Sequence, residues 1–112
     1  MTTSISNRVD IVTVLDGIKT DLGIPSSYSH FSNGETYPHL IYLGSGQSQL
    51  IADGSAYWRS NTYRVEFYYL KKDEALESSI EDAFLSGGWN YSKSDDNYID
   101  DEGIFVIYYM LS

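Results

Sequence analysis

The chain has 112 residues, of which 42% are hydrophobic and 21% charged, and this length and composition predict a single globular domain over residues 1–112. The absence of cysteine excludes disulfides, thiolate metal sites and a cysteine nucleophile. Seven basic against sixteen acidic residues, a net charge of −9, disfavour nucleic acid as the main partner, because phosphate binding needs clustered cations.

Neither a signal peptide nor a membrane span is expected. Residues 1–7 are polar, and no stretch approaches the roughly 20 apolar residues that cross a bilayer. We therefore expect a protein that is made in the cytoplasm and has no membrane partner.

An amphipathic helix is predicted over residues 9–22. Its apolar stripe has spacings of four, three and four and consists of Ile11, Leu15, Ile18 and Leu22. Asn7 is the expected N-cap, Asp10 lies in the first turn, and Gly23 ends the helix.

Two strands are predicted next. Residues 28–31 favour a short strand, and the Asn33-Gly34 pair that follows is typical of a tight turn. Residues 39–43 are apolar on both faces and predict a buried strand that ends at Gly44-Ser45-Gly46.

Two further strands are predicted over residues 49–52 and 61–70, with a turn at Asp53-Gly54 between them. The second shows clear two-residue alternation. One face of this strand is predicted to carry Tyr63, Val65, Phe67 and Tyr69, and the other face Arg64, Glu66 and Tyr68.

A second helix is predicted over residues 73–86, ended by Gly87-Gly88. Its buried face is predicted to consist of Leu76, Ile80, Ala83 and Phe84. Its outer face is predicted to consist of Asp73, Glu74, Glu77, Glu81 and Asp82, and acids in the first turn suit the helix dipole.

Two closing strands are predicted over residues 89–94 and 104–111, joined by an acidic segment. Because the last strand is apolar on both faces, it should be central in a sheet covered on both sides, or be buried by a neighbouring subunit. The fold class is therefore α+β: a single, mostly antiparallel β-sheet flanked by two helices, in the order helix, strands, helix, two strands.

No arrangement of residues predicts catalysis, a cofactor or a metal. His30 and His39 lack the short spacing of metal ligands, and Gly44-Ser45-Gly46 lacks the third glycine of a dinucleotide-binding loop. The acidic residues Asp95, Asp96, Asp100, Asp101 and Glu102 offer oxygens but miss the spacing of a calcium-binding loop. We expect no enzyme, and a weak cation site at the acidic segment is the less favoured alternative.

The eleven tyrosines are unusual for a chain of this size. Tyrosine is enriched in protein interfaces, although it also favours strands in a β-rich core. Tyr68, Tyr108 and Tyr109 exceed what one face of a sheet can hide, and we expect them on an assembly surface.

Five segments together resemble a known family: residues 15–25, 37–42, 63–69, 72–77 and 107–109. Over Val9–Leu111 the pattern resembles the tail-terminator, or tail-completion, proteins of siphoviruses, which are encoded near the head-tail joining genes. The resemblance implies a virion protein that forms a hexameric ring at the head-proximal end of the phage tail. Such a ring stops tail-tube polymerisation and joins the tail to the head. The implied partners are other copies of the chain, the tail tube protein and the head connector protein, without catalytic residues or cofactors.

DNA would pass through such a ring without tight or sequence-specific binding. A wall of carboxylates repels phosphate over about 8 Å at physiological salt. We therefore expect some of Asp95, Asp96, Asp100, Asp101 and Glu102 to face the lumen.

Two alternatives stay open. The nearest is another head-tail connector or minor capsid protein of similar size. The other is a small bacterial ligand-binding α+β module, for which a closed apolar pocket is expected.

Overall fold

The computed structural model describes residues 8–30, 36–52 and 56–112, without the side chains of residues 47–52 and 56–60. The elements are α1 (Ile11–Leu22), β1 (Ser26–Tyr28), β2 (His39–Ala52), β3 (Ala56–Tyr69), α2 (Glu74–Ser86), β4 (Tyr91–Lys93), β5 (Asn97–Ile99) and β6 (Ile104–Leu111). The strands form one sheet in the order β1-β2-β3-β6-β4, with β5 also paired to β6. Every pairing is antiparallel except that of β1 with β2, which confirms the predicted α+β class and its mostly antiparallel sheet.

Helix α1 begins two residues later than predicted. The Asp10 carboxylate accepts a hydrogen bond from the Val12 amide at 3.1 Å, which makes Asp10 the N-cap. The expected cap, Asn7, lies outside the described residues. Gly23 has a φ of 73° and donates its N–H to the Lys19 carbonyl at 2.9 Å, which confirms the predicted end.

The Gly44-Ser45-Gly46 segment bends β2 without ending it, so the predicted strand end is wrong. The pairing of β2 with β3 shifts register between Gly44 and Gly46 and then continues to Ala52. The Thr62 hydroxyl donates to the Gly46 carbonyl at 3.1 Å and lies 2.9 Å from the Ser45 hydroxyl. Because a β-bulge interrupts a ladder only locally, residues 49–52 belong to β2 and are not a separate strand.

The remaining strand predictions differ from the structure at their boundaries. Strand β1 ends at Tyr28, whereas the predicted strand begins there. The end of the predicted strand and the Asn33-Gly34 turn lie in residues 31–35, outside the described part of the chain. The Asp53-Gly54 turn lies outside it as well. After α2 the chain forms three strands instead of two, because Asn97–Ile99 in the acidic segment pairs with β6.

Both helices cover the same face of the sheet. On this face, side chains of β2, β3 and β6 join those of α1 and α2 in one buried cluster, and the cluster includes Leu15, Ile18, Leu40, Val65, Phe67, Ile80, Phe84, Ile107 and Tyr109. Strand β6 lies between β3 and the β4 and β5 strands, so its predicted central position is confirmed. Among the described elements no helix covers its other face. No helix in the described part of the chain is long and apolar enough to cross a membrane.

The outer halves of β2 and β3 form a projecting two-stranded ribbon, called the arm here: residues 46–52 and 56–62. Strand β1 pairs with β2 only as far as Tyr42, and β6 pairs with β3 only as far as Tyr63, so among the described strands those of the arm pair only with each other. At about 3.3 Å per residue each arm strand extends roughly 20 Å. The molecule measures 51 × 27 × 26 Å with a radius of gyration of 15.5 Å, against about 13 Å for a compact chain of this length.

Two glycines at the contact of α1 with α2 give opposite stability predictions. A Cβ added to Gly17, inside α1, would meet no atom within 4 Å, whereas one added to Gly87 would lie 2.7 Å from Val14 Cγ2. Gly17→Ala should raise the free energy of unfolding by about 1 kcal/mol through helix propensity. Gly87→Ala should lower it by about 1–3 kcal/mol through overpacking.

Urea denaturation of both variants and the wild type measures these changes. Equal shifts of the same sign would contradict the close packing of the α2 end against α1.

Candidate functional site

Glu77 lies inside the protein, between α2 and the sheet. It shares a stripe of α2 with Ile80 and Phe84 and is only 2% exposed. The prediction that Glu77 faces outward is therefore wrong. Because a buried carboxylate loses its hydration, it needs cations or hydrogen-bond donors nearby.

Two lysines compensate the charge of Glu77. Lys72 Nζ lies 2.8 Å from Glu77 Oε2 and 3.0 Å from Oε1, and Lys93 Nζ lies 3.0 Å from Oε1. Glu77 Oε2 accepts no well-aligned hydrogen bond, so its contact with Lys72 is an ion pair and not a directional bond. Lys72 precedes α2 and Lys93 belongs to β4, so the carboxylate joins three parts of the chain.

Glu81, one turn after Glu77, extends this cluster. Lys93 Nζ lies 2.7 Å from Glu81 Oε2, to which the Tyr109 hydroxyl also donates at 2.7 Å. The Tyr91 hydroxyl donates to Glu81 Oε1 at 3.1 Å. Glu81 is thus partly buried, and not part of an outer face as predicted.

Asp96 closes the cluster from the segment between β4 and β5. Its carboxylate accepts a hydrogen bond from the Tyr69 hydroxyl, and Lys72 Nζ lies 3.0 Å from Asp96 Oδ1. We call Tyr69, Lys72, Glu77, Glu81, Tyr91, Lys93, Asp96 and Tyr109 the ionic cluster.

The cluster favours the ordinary charge states of Asp96, Glu81 and Tyr109. The hydrogen bond from Tyr69 and then that from Lys72 lower the pKa of Asp96. Burial opposes the shift at Glu81, but hydrogen bonds from Lys93 and Tyr109 lower the pKa of that carboxyl. Burial and the bond to Glu81 raise the pKa of Tyr109. At neutral pH Asp96 and Glu81 are therefore ionised and Tyr109 is neutral, and this arrangement stabilises the contact of α2 with the sheet.

The five acidic residues predicted to lie in one loop are divided by β5. Asp96 belongs to the ionic cluster, whereas Asp100, Asp101 and Glu102 are exposed in the turn between β5 and β6. Asp95 is exposed on the β4 side of β5. Within the described residues, no group of three or more His, Asp or Glu side chains is placed to hold a metal ion.

The sheet face opposite the helices carries two of the three tyrosines predicted for an assembly surface. We call Leu43, Arg64, Tyr68, Tyr108 and Met110 the open face. Tyr109 is fully buried on the helix side and does not belong to this surface. The open face therefore lies on the side of the described sheet that neither α1 nor α2 covers.

The charges of the open face are paired. Glu66, which is mostly buried, accepts hydrogen bonds from Arg64 Nε at 2.8 Å and from the Tyr68 hydroxyl at 2.7 Å. The Arg64 guanidinium lies 5.9 Å from the centre of the Tyr108 ring, and Met110 is 42% exposed. Protein interfaces are enriched in Tyr, Arg and Met, and all three residue types surround the compensated charge of Glu66 on this face.

The ionic cluster was missed in the sequence analysis, although one signal for it exists. Glu77, Ile80 and Phe84 have the spacing of a single helical stripe, which places a carboxylate among core residues. One of the two partners of Glu77, Lys93, lies sixteen residues away, so only the folded chain brings it to the carboxylate.

We predict that Glu77→Ala lowers the free energy of unfolding by about 3 kcal/mol, the lower end for breaking a buried ion pair, because both lysines can reach solvent. Glu74→Ala, at an exposed position in the same turn, is the matched control and should change stability by about 0.5 kcal/mol or less. Urea denaturation measures both, and equal effects would contradict a structural role for Glu77.

Stability should be highest between the ordinary carboxyl pKa of 4.5 and the ordinary tyrosine pKa of 10.0. The lowered pKa values of Glu81 and Asp96 give stability that is present above their unfolded pKa values and is lost as pH falls through the folded ones. The raised pKa values of Tyr109 and Lys93 give stability that is present below their unfolded values and is lost at higher pH.

Denaturation at a series of pH values tests this profile. Asp96→Asn should flatten its acid limb, whereas Asp16→Asn, on the exposed side of α1, should leave the limb unchanged. An identical acid limb for Asp96→Asn and the wild type would contradict the role of the cluster.

No protein-family model matches the chain, and no curated protein sequence matches it. The geometry of the described residues is therefore the basis for the function proposed below.

Proposed function

We propose that this chain is a structural subunit of a long-tailed bacteriophage and acts by assembling with other copies of itself. The copies form a ring, a hexamer by the family resemblance, at the head-proximal end of the tail. The ring caps the tail tube, stops its polymerisation and joins the tail to the head connector. The function is structural and not enzymatic.

The arm is the observation that carries the proposal. A two-stranded ribbon is marginally stable in water by itself, because it has no third strand and no covering layer. The edge of a two-stranded ribbon also offers main-chain groups with which another chain can pair. A ribbon that projects from the covered sheet is therefore suited to contact a neighbouring molecule in an assembly.

The open face supports the same role. Its two tyrosines, Tyr68 and Tyr108, lie beside Arg64 and the exposed Met110, on the sheet face that neither helix covers. The hydrogen-bonded Glu66 leaves no unpaired buried charge for a partner to cover. We assign this face to the tail tube protein or the connector protein.

The acidic residues fit a passage for DNA. Asp95, Asp100, Asp101 and Glu102 are exposed, and all contribute to the net charge of −9. If they line the lumen of the ring, they repel the phosphate backbone and let DNA slide during ejection. Asp96 is already paired with Lys72 and contributes less.

Disabling the gene in the phage that encodes it should produce tails longer than normal, because the tail tube is no longer capped. Electron microscopy of lysates measures tail length, and supplying the wild-type gene from a plasmid should restore it. Light scattering of the purified protein should show a hexamer, or a monomer that becomes a hexamer as concentration rises.

Tails of normal length beside unjoined heads would contradict capping and would support the alternative of another head-tail connector. A protein that stays monomeric or dimeric and does not bind purified tails would contradict both roles. That result would favour the small ligand-binding module.

A further inference from the structure

A groove of about 420 Å³ runs between α1 and α2 on the outside of the helix layer. Its floor is apolar and includes Val14, Ile18 and Leu22, and at one end lies Val9, which is 39% exposed. Gly17 also lines the groove, and the absence of a side chain there leaves space above the α1 backbone.

The rim of the groove is acidic. Asp21 of α1 and Asp82 of α2 line it from the two helices, and among the described side chains no basic residue does. Within the described residues neither carboxylate takes part in an ion pair, in contrast to the acids of the ionic cluster. The groove thus combines an apolar floor with two uncompensated negative charges.

The arm has the complementary composition. Residues 46–62, which include both arm strands, contain one acidic residue, Asp53, and one basic residue, Arg59, in a chain with sixteen acids. The residues before Arg59 are apolar and aromatic, Ala56-Tyr57-Trp58, and main-chain pairing joins Leu50 to Trp58 and Ile51 to Tyr57. Apolar residues beside a single cation match an apolar groove with an acidic rim.

We propose that the arm of one copy binds in the α1–α2 groove of the next copy. The arm projects beyond the strands and helices that make up the core, and its own strands pair only with each other. Arm and groove are different surfaces of the same chain, so the contact is heterologous, and a heterologous contact closes into a ring when the rotation between copies permits. This inference rests on the self-assembly in the proposed function and assigns its two surfaces.

Mixed disulfides test the contact directly, because the chain contains no natural cysteine. One variant carries Arg59→Cys in the arm and the other Asp82→Cys at the groove. After mixing and mild oxidation they should form a disulfide-linked heterodimer. A mixture of Arg59→Cys with Glu74→Cys, at an exposed position of α2 outside the groove lining, is the matched control and should give none.

Filling the groove provides a second test. Gly17→Trp places a large side chain at the groove, and its Cβ meets no atom within 4 Å. We expect it to weaken self-assembly about tenfold or more, as light scattering measures. Gly17→Ala should assemble like the wild type, and thermal melting checks that both variants are folded.

A charge exchange separates direct contact from an indirect effect. Arg59→Glu and Asp82→Arg should each weaken assembly, and the double variant should recover part of the loss. All these experiments are run with purified tails present if the wild type assembles only on them.

The outcomes separate this inference from the function on which it rests. If the wild type assembles neither alone nor on tails, the proposed function fails. If the wild type and Gly17→Trp assemble equally and no mixed disulfide forms, the arm–groove contact alone is wrong. A third outcome is that Gly17→Trp forms rings that no longer bind the tail tube. This result would show that the groove contacts the tube, and it would also overturn the inference.

Discussion

Val65, Phe67 and Tyr69 of β3 lie on one face of the sheet and need an apolar cover, which α1 and α2 together supply. Because two helices on one face must also pack on each other, the end of α2 approaches α1 closely at Gly87. The Val9 amide donates to the Gly87 carbonyl at 2.8 Å, and Trp89 Nε1 donates to the Val9 carbonyl at 2.9 Å. The helix layer is thereby tied together at one end, and its outer surface leaves the groove in which Gly17 lies.

Because α1 and α2 cover one face of the sheet only, the tyrosines on the two faces have different surroundings. On the helix side, Tyr69, Tyr91 and Tyr109 place rings in or against the core and hydroxyls on carboxylates. Tyrosine suits this position because its ring packs against the apolar core while its hydroxyl forms a hydrogen bond with a carboxylate of the ionic cluster. On the opposite side, Tyr68 and Tyr108 have no helix above them, so the tyrosine excess serves the core as well as a surface.

Charge is distributed unevenly along the chain, and this unevenness matters for assembly. Copies with a net charge of −9 repel one another unless the surfaces in contact are poor in acids or carry cations. The two arm strands, residues 46–52 and 56–62, contain no acidic residue, whereas the helices carry acids such as Asp21 and Asp82. Contact of arm with helices lowers this repulsion, whereas contact of helices with helices increases it.

The two helices, the alternation along β3 and the apolar last strand can be predicted from the sequence, because each follows from a local period of side chains. Which faces meet depends on the folded chain. Gly44-Ser45-Gly46 has the composition of a strand end, yet the partner strand carries β2 past it as a bulge. In the sequence Glu77 resembles the solvent-facing acids of α2. In the folded chain Lys72 and Lys93 lie beside it and compensate its buried charge. Tyr108 and Tyr109 are adjacent in sequence, but the pleat of β6 sends one to the open face and the other into the core. Local patterns determine elements, whereas burial, ion pairing and exposed surfaces depend on contacts between residues far apart in the chain.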